Sequence, residues 1–281
     1  MTIHTIAVCG AGTMGSGIAQ VAATAGFRTV LYELNSVVLE NAKTSIEQNL
    51  QKAIEKGKLE TDAKSAILNR LQFTSALKDC KADLVIEAIV EKLEVKIGLF
   101  NQLAANNTDD TIFASNTSSL SISTLAEGIE VPHRVAGLHF FNPAPLMKLV
   151  EVVKGEHTSE SVMQTLIGLT KALGKTPVVC KDAPGFVVNR VARPYYIEAL
   201  RLAESGAADF DTIDRLMESK GFKMGPFKLM DLIGNDINYA VSCSVYEQMG
   251  QPERLKPSFI QKEKVEQGAL GRKSKRGYYE Y

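Results

Sequence analysis

The 281 residues include four histidines, and one of them stands where its chemistry has a partner. His139 lies near the end of an apolar stretch, Arg134 to Phe141, and a second such stretch runs from Met147 to Val153. Between them, Asn142-Pro143-Ala144-Pro145 holds two prolines. Prolines this close cannot join a central ladder, so the segment reads as a turn between two strands. Residues symmetric about position 145 then face each other, and 139 and 151 sum to twice that centre. The spacing therefore sets Glu151 against His139. An imidazole ionises near neutrality and can give or take a proton there. A carboxylate beside it fixes the tautomer and stabilises the imidazolium. Such a pair suits the proton that must leave or join oxygen when an alcohol carbon exchanges hydride. His4 precedes the first strand, and His133 and His157 fall in polar turns, so those three read as surface residues. A lone histidine ending a strand is more often structural, and Glu151 is what separates His139 from that reading.

A second cluster lies at the start of the chain. Thr5 to Cys9 is a short apolar run, Gly10-Ala11-Gly12-Thr13-Met14-Gly15 follows, and Ser16 to Ala25 reads as a helix. Strand, glycine turn and helix form the dinucleotide-binding fingerprint. Gly10 allows a sharp turn, Gly12 a close backbone approach to a pyrophosphate, and Gly15 tight packing of the helix on the strand. Exposed N–H groups and the positive helix end would hold the phosphates. A second strand, Arg28 to Tyr32, ends at Glu33, about 20 residues past the glycines, where an acid grips a ribose diol. Glu33 would repel a 2′-phosphate, and Leu34, Asn35 and Ser36 offer no cation to hold one. NAD is the expected cofactor rather than NADP.

Other elements must position these groups. Ser36 to Lys56 and Thr61 to Leu71 read as a helical hairpin that reaches away from the sheet, with Lys52, Lys56, Lys58 and Lys64 as a local basic surface. Leu84 to Val90 is an apolar run broken by Glu87 and reads as a buried parallel strand. Glu91 to Leu103 reads as a helix and Thr111 to Ser115 as a strand. Asn116 to Ser119 then caps a helix beginning near Leu120. Glu91 and Ser118 thus stand beyond carboxyl ends of strands, where open α/β sheets bind ligands. Ser159 to Leu173 is a helix and Thr176 to Cys180 the last strand. After Ala183-Pro184-Gly185 the pattern is helical to the end: Phe186 to Glu204 with Pro194 as a kink, then Asp211 to Ser219, Pro226 to Ile233, Asp236 to Met249 and Ser258 to Gln267. The fold class is α/β: a Rossmann-type doubly wound sheet, residues 1–184, followed by an all-helical domain, residues 185–281.

Composition narrows the classes. Thirty-two basic residues balance thirty-two acidic ones, so no global field recruits nucleic acid or an anionic membrane. Cys9, Cys80, Cys180 and Cys243 form no C-x-x-C pair, which indicates neither zinc nor a disulfide framework. Reduced thiols, no signal-peptide pattern and no apolar run long enough to span a bilayer lead to a cytoplasmic expectation with no metal.

Taken together, Gly10 to Gly15, Glu87-Ala88-Ile89-Val90-Glu91, Ser115-Asn116-Thr117-Ser118-Ser119, His139-Phe140-Phe141-Asn142-Pro143 and Ala183 to Arg190 resemble the L-3-hydroxyacyl-CoA dehydrogenases, and most closely the bacterial 3-hydroxybutyryl-CoA dehydrogenases. The resemblance extends to Gly225-Pro226 and Gly271-Arg272-Lys273. It implies that His139 is the general acid/base and Glu151 its orienting partner. It implies hydrogen bonds from Ser118 and Asn189 to the substrate oxygen and the histidine region, with Asn142 bordering substrate and nicotinamide. On the cofactor side it implies the glycine turn (Gly10, Ala11, Gly12, Thr13, Met14, Gly15) for pyrophosphate, Glu33 for the adenosine ribose, and Glu91, Lys96 and Lys273 for the rest of NAD. For the coenzyme A moiety it implies Lys56 and, more weakly, Asn49, where the family carries a serine. Glu33 stands where aspartate is commoner. Plainer roles remain beside these: a cap for Ser118 or Asn189, a dipole partner for Glu91, solvated helix positions for Lys96, Lys56 and Lys273.

The mechanism so implied moves the C3 hydroxyl proton to His139 as C3 gives hydride to nicotinamide, with the helical domain closing over the acyl chain. Short-chain 3-hydroxybutyryl-CoA is the first expectation, with dicarboxylic 3-hydroxyadipyl-CoA open beside it. Alternatives are a dehydrogenase of free β-hydroxy acids, which would work through a lysine in the helical domain, and a non-catalytic NAD-binding protein of sensor or crystallin type. Apolar stripes in the helical domain lead to a homodimer.

Overall fold

The computed structural model describes residues 2–281. Its contacts divide the chain into two units, one reaching Asp182 and the other spanning Ala183–Tyr281.

The first unit is an eight-stranded sheet with helices. In chain order it runs β1 (Thr5–Cys9), α1 (Thr13–Thr24), β2 (Arg28–Tyr32), α2 (Ser36–Glu55), α3 (Thr61–Leu68), β3 (Leu71–Thr74), β4 (Leu84–Glu87), α4 (Leu93–Asn106), β5 (Ile112–Ser115), α5 (Ile122–Glu127), β6 (Val135–Phe140), β7 (Leu149–Lys154), α6 (Glu160–Ala172) and β8 (Thr176–Lys181). The strand order is 3-2-1-4-5-6-7-8. β1 to β6 pair in parallel, β7 pairs antiparallel with β6, and β8 runs parallel to β7. Chain order reverses between β1 and β4, and a crevice beyond the strand ends at such a point is the ligand site of this architecture. The central strands read as continuous apolar runs because helices cover both faces. Ile6, Val8, Leu84, Ile86, Ala114 and Leu138 are fully buried.

The hairpin of α2 and α3 is the connection from β2 to β3, and it does not stand free. Ala42, Ile46, Leu50 and Ile67 on its inner face join the main core. The hairpin ends earlier than its sequence suggests, because Leu71 to Thr74 leave the helix and pair with β2 as the outermost strand.

The second unit is helical: α7 (Val188–Glu204), α8 (Phe210–Ser219), α9 (Pro226–Ile233), α10 (Asn235–Gln248) and α11 (Phe259–Glu266). α7 is a single helix with Pro194 inside it. Phe210, Phe227 and Tyr278 form an aromatic cluster, with ring centroids 4.6 to 5.1 Å apart. Asp231, 1 % exposed, holds the end of the chain by accepting from the backbone N–H groups of Tyr278 and Tyr279, each at 3.0 Å.

Candidate active site

The register of β6 and β7 sets His139 directly opposite Glu151, as the symmetry of the turn requires. His139 Nδ1 lies 2.7 Å from Glu151 Oε2. Glu151 is fully buried and the His139 side chain 8 % exposed. A buried carboxylate can only accept, so Nδ1 carries the hydrogen and Nε2 becomes the basic nitrogen. Phe141 packs beside the imidazole with ring centroids 4.6 Å apart. Asn116 ties the end of β5 to β6 by accepting from the Phe140 N–H at 2.8 Å. The histidine is thereby held from both neighbouring strands. His4, His133 and His157 are exposed.

At the glycine turn each residue's lack of a side chain has a different cause. Gly10 has φ +98°, and a Cβ there would sit 2.5 Å from the Ala88 carbonyl oxygen. At Gly15 a Cβ would fall 1.7 Å from the Gly10 carbonyl oxygen, so the first turn of α1 packs on that peptide. At Gly12 a Cβ would meet nothing within 4 Å. Gly12 is also the N-cap of α1, which begins at Thr13, with no side-chain cap and no acid in its first turn. The helix therefore presents uncompensated N–H groups and a positive end to open space, the arrangement that receives a phosphate. Glu33 reaches this turn: its carboxylate accepts from the Ala11 N–H at 3.1 Å and the Asn35 N–H at 3.1 Å. The donor set fits a dinucleotide whose pyrophosphate meets the helix end and whose ribose diol meets an acid.

Between the two lies a network that the sequence only hints at. Cys9, Glu87 and Ser115 stand in one row across β1, β4 and β5. Glu87 is fully buried and accepts from Lys96 Nζ at 2.5 Å, Ser115 Oγ at 2.6 Å and the Ile89 N–H at 2.7 Å. Lys96, 1 % exposed, also pairs with Glu91 at 3.0 Å. Glu91 in turn accepts from Thr117 Oγ1, from the Ser118 N–H at 3.2 Å and from Ser119 Oγ at 3.0 Å. Partial desolvation pushes the Glu91 carboxyl up, but the Lys96 charge and the Thr117, Lys96 and Ser119 donors outweigh it and hold it below the usual range. Lys96 is thus enclosed and engaged by two carboxylates. Glu91 keeps 38 % of its side chain open.

The two capping roles open to Ser118 and Asn189 fall to other residues. Ser118 is not the helix cap: α5 starts at Ile122, capped by Ser121, whose Oγ accepts from the Thr124 N–H at 3.1 Å. Asp182 supports that end by accepting from Ser121 Oγ at 2.7 Å and the Ser123 N–H at 2.8 Å. Asn189 lies in the first turn of α7, where Val187, not Asn189, is the N-cap. Asn142 is exposed in the turn after β6. Lys56 is the exposed C-cap of α2, and Asn49 on α2 donates to Gln20 Oε1 at 3.4 Å. Lys273 pairs with Asp236 at 2.6 Å within the second unit. Glu87 carried a signal in sequence, a single acid inside an apolar strand. Lys96 and Thr117 were marked only through the family resemblance, and Asp182 carried no signal that distinguishes it from a surface position.

Comparison with known proteins decides the family. Residues 5–183 match the 3-hydroxyacyl-CoA dehydrogenase NAD binding domain and residues 185–281 the 3-hydroxyacyl-CoA dehydrogenase C-terminal domain. The chain belongs to the 3-hydroxyacyl-CoA dehydrogenase family. It is 48 % identical over 283 residues to the 3-hydroxyadipyl-CoA dehydrogenase of Escherichia coli K12, covering 100 % of this chain and 60 % of that relative. It is 43 % identical to the mitochondrial hydroxyacyl-coenzyme A dehydrogenase of Sus scrofa, covering 98 % and 90 %. Among solved structures, the (S)-3-hydroxybutyryl-CoA dehydrogenase of Ralstonia eutropha superposes with a TM-score of 0.95 at 36 % identity, covering 100 % of this chain and 99 % of that one.

Proposed function

We propose that this member of the 3-hydroxyacyl-CoA dehydrogenase family interconverts (S)-3-hydroxyacyl-CoA and 3-ketoacyl-CoA, with NAD as cofactor. The His139–Glu151 contact of 2.7 Å carries the reading, because a protein that only binds a nucleotide needs no such pair. In the oxidative direction His139 Nε2 takes the C3 hydroxyl proton. In reduction the imidazolium returns it to the carbonyl oxygen, and the buried Glu151 carboxylate offsets the ring's positive charge meanwhile. The bound nicotinamide supplies hydride exchange with C3. Ser118 and Asn189 hydrogen-bond the acyl substrate, Asn142 borders it, and Lys56, with Asn49 as the weaker candidate, meets the coenzyme A phosphates. Gly10 to Gly15, Glu33 and Glu91 hold the cofactor, and Lys96 sets Glu91. Lys273 contributes only if it leaves Asp236. Glu33 favours NAD over NADP by repelling a 2′-phosphate.

Residues 1–184 form the NAD-binding domain in this reading and residues 185–281 the substrate and dimerisation domain. Val191, Leu202, Leu216, Phe222 and Ile237 of the second unit are 44 % to 72 % exposed, an apolar surface that supports a homodimer. Light scattering on a sizing column should give twice the chain mass, and a monomer would contradict it. The cysteines are free, and no helix among the described residues is long and apolar enough to cross a membrane. The thiols favour a cytoplasmic enzyme. The relatives' names span four-carbon and dicarboxylic six-carbon acyl groups. Oxidation of NADH followed in absorbance should proceed with acetoacetyl-CoA and not with free acetoacetate. Equal rates with the free acid, or none with the thioester, would contradict the reading.

A further inference from the structure

Lys175 is a buried ammonium whose bonds run to the turn behind the proposed acid–base histidine. It is 9 % exposed. Gly174, at φ +70°, closes α6, and the Lys175 N–H returns to the Thr170 carbonyl at 3.0 Å. Thr176 then donates to the Lys148 carbonyl at 2.7 Å and begins β8. From between these fixed points Nζ donates to the Ala144 carbonyl at 2.6 Å and to the Met147 carbonyl at 2.8 Å. Among the described residues no carboxylate forms an ion pair with Lys175. Burial, and after it the Lys148 charge, lowers its pKa. An enclosed charge is weak evidence for stabilisation, since an apolar side chain of similar volume fills the same space without the desolvation cost. What the ammonium adds is a bond to two points of one turn.

That turn has few donors of its own. Pro143 and Pro145 bring no N–H, and the Leu146 and Met147 N–H groups both close on the Pro143 carbonyl at 3.0 Å. The Ala144 and Met147 carbonyls are met by Lys175 instead. On another side the turn lies against α1. A Cβ at Gly17 would stand 3.2 Å from Ala144 Cβ and 3.3 Å from Pro145 Cδ, so the missing side chain lets helix and turn meet. Ala144 is 2 % exposed and belongs to the main core. Gly17 is about 6 Å along the helix from Thr13, where α1 begins. The turn is thus engaged both by the helix whose end suits a phosphate and by Lys175. It begins at Asn142, close behind His139 in the chain.

We infer that Lys175 is a positioning residue for hydride transfer: it holds the turn after β6 in register with α1, and so fixes Asn142 and the end of the His139 strand relative to the cofactor helix. The inference rests on the proposed dehydrogenase reading, in which Asn142 borders substrate and nicotinamide. Both side-chain acceptors of Lys175 are backbone carbonyls, so it acts through the turn. Reacting groups must be held in a near-attack arrangement, and a misplacement of about 1 Å costs about 100-fold in rate. A turn released at Ala144 and Met147 loses its register while the phosphate end of α1 is untouched.

The test follows NADH oxidation by acetoacetyl-CoA in the intact enzyme, with NADH affinity measured by fluorescence titration. Lys175→Met should lower kcat by about 10- to 100-fold and leave the NADH dissociation constant nearly unchanged. The primary isotope effect on kcat with NADH deuterated at C4 should be at least as large as in wild type, because hydride transfer is the step that slows. A smaller isotope effect would place the loss in another step and overturn the inference. Lys175→Arg, which keeps donors for both carbonyls, should recover most of the rate. If Lys175 only stabilised the fold, Lys175→Met would melt lower yet match the wild-type kcat well below its melt, and that result overturns the inference. Where Lys175→Met does not fold, Gly17→Ala decides, since alanine is a good helix former and its methyl presses on the same turn from α1. Its kcat should fall with the melt near that of wild type, and an unchanged kcat overturns the inference. A wild type that oxidises no NADH with the thioester would instead overturn the dehydrogenase reading, so the two failures are distinct.

Discussion

At the scale of single residues, the site is built from carboxylates that are never left alone. Glu151 is fully buried, and a buried polar group without a partner is costly, so the 2.7 Å contact with His139 Nδ1 supplies a partner. Glu87 and Glu91 share Lys96 in the same way. Glu91 has a testable signature, because its carboxyl is held below the ordinary value of 4.5 in the fold. A depressed carboxyl contributes stability that is present above the unfolded value and disappears as pH falls through the folded one. Wild type should therefore melt higher than Glu91→Gln at pH 7, and the gap should close below about pH 4. A gap that persists undiminished at pH 3 would show that the carboxylate's charge is not what stabilises the loop.

Among the elements, the strand–turn–helix unit makes the sharpest distinction. Gly12→Ala puts a methyl into open space, so it should cost only about 1 kcal/mol of stability, as a poorer N-cap, while weakening NADH binding. Gly15→Ala drives a methyl into the Gly10 carbonyl and should cost about 2 kcal/mol or more together with NADH affinity. Thermal melts and NADH fluorescence titrations on both variants check this, and an unaltered melt for Gly15→Ala would contradict the packing. Much of this unit was legible in the sequence because glycine spacing and an apolar run report backbone geometry directly. The β6–β7 turn was legible for a similar reason: two prolines bar a ladder, and symmetry about the turn then pairs His139 with Glu151. What escaped has physical causes. β3 is four residues at the sheet edge, partly exposed, and follows a helix without a break. The cap of α5 lies in a run of serines, where only the fold selects Ser121. Lys96 was singled out only through the family resemblance, as an NAD contact, and nothing in sequence shows that two acids converge on it.

Over the whole molecule, the proposed reading assigns each unit its own part. The sheet unit arranges the acid–base pair and a cradle for the dinucleotide. In the proposed reading the helical unit supplies Asn189, and an aromatic cluster and the Asp231 clasp hold that unit together. Neither family membership nor fold fixes the reaction, because related sheets serve many chemistries. The central claim is that one imidazole steered by a buried acid moves the proton. Its most direct test is a single-turnover measurement of NADH oxidation by acetoacetyl-CoA in His139→Gln, with NADH affinity measured on the same sample. The rate should fall by about 10² to 10⁴, the range for losing a positioned acid–base group, with NADH binding retained. A variant that binds NADH and still transfers hydride at the wild-type rate would contradict the account.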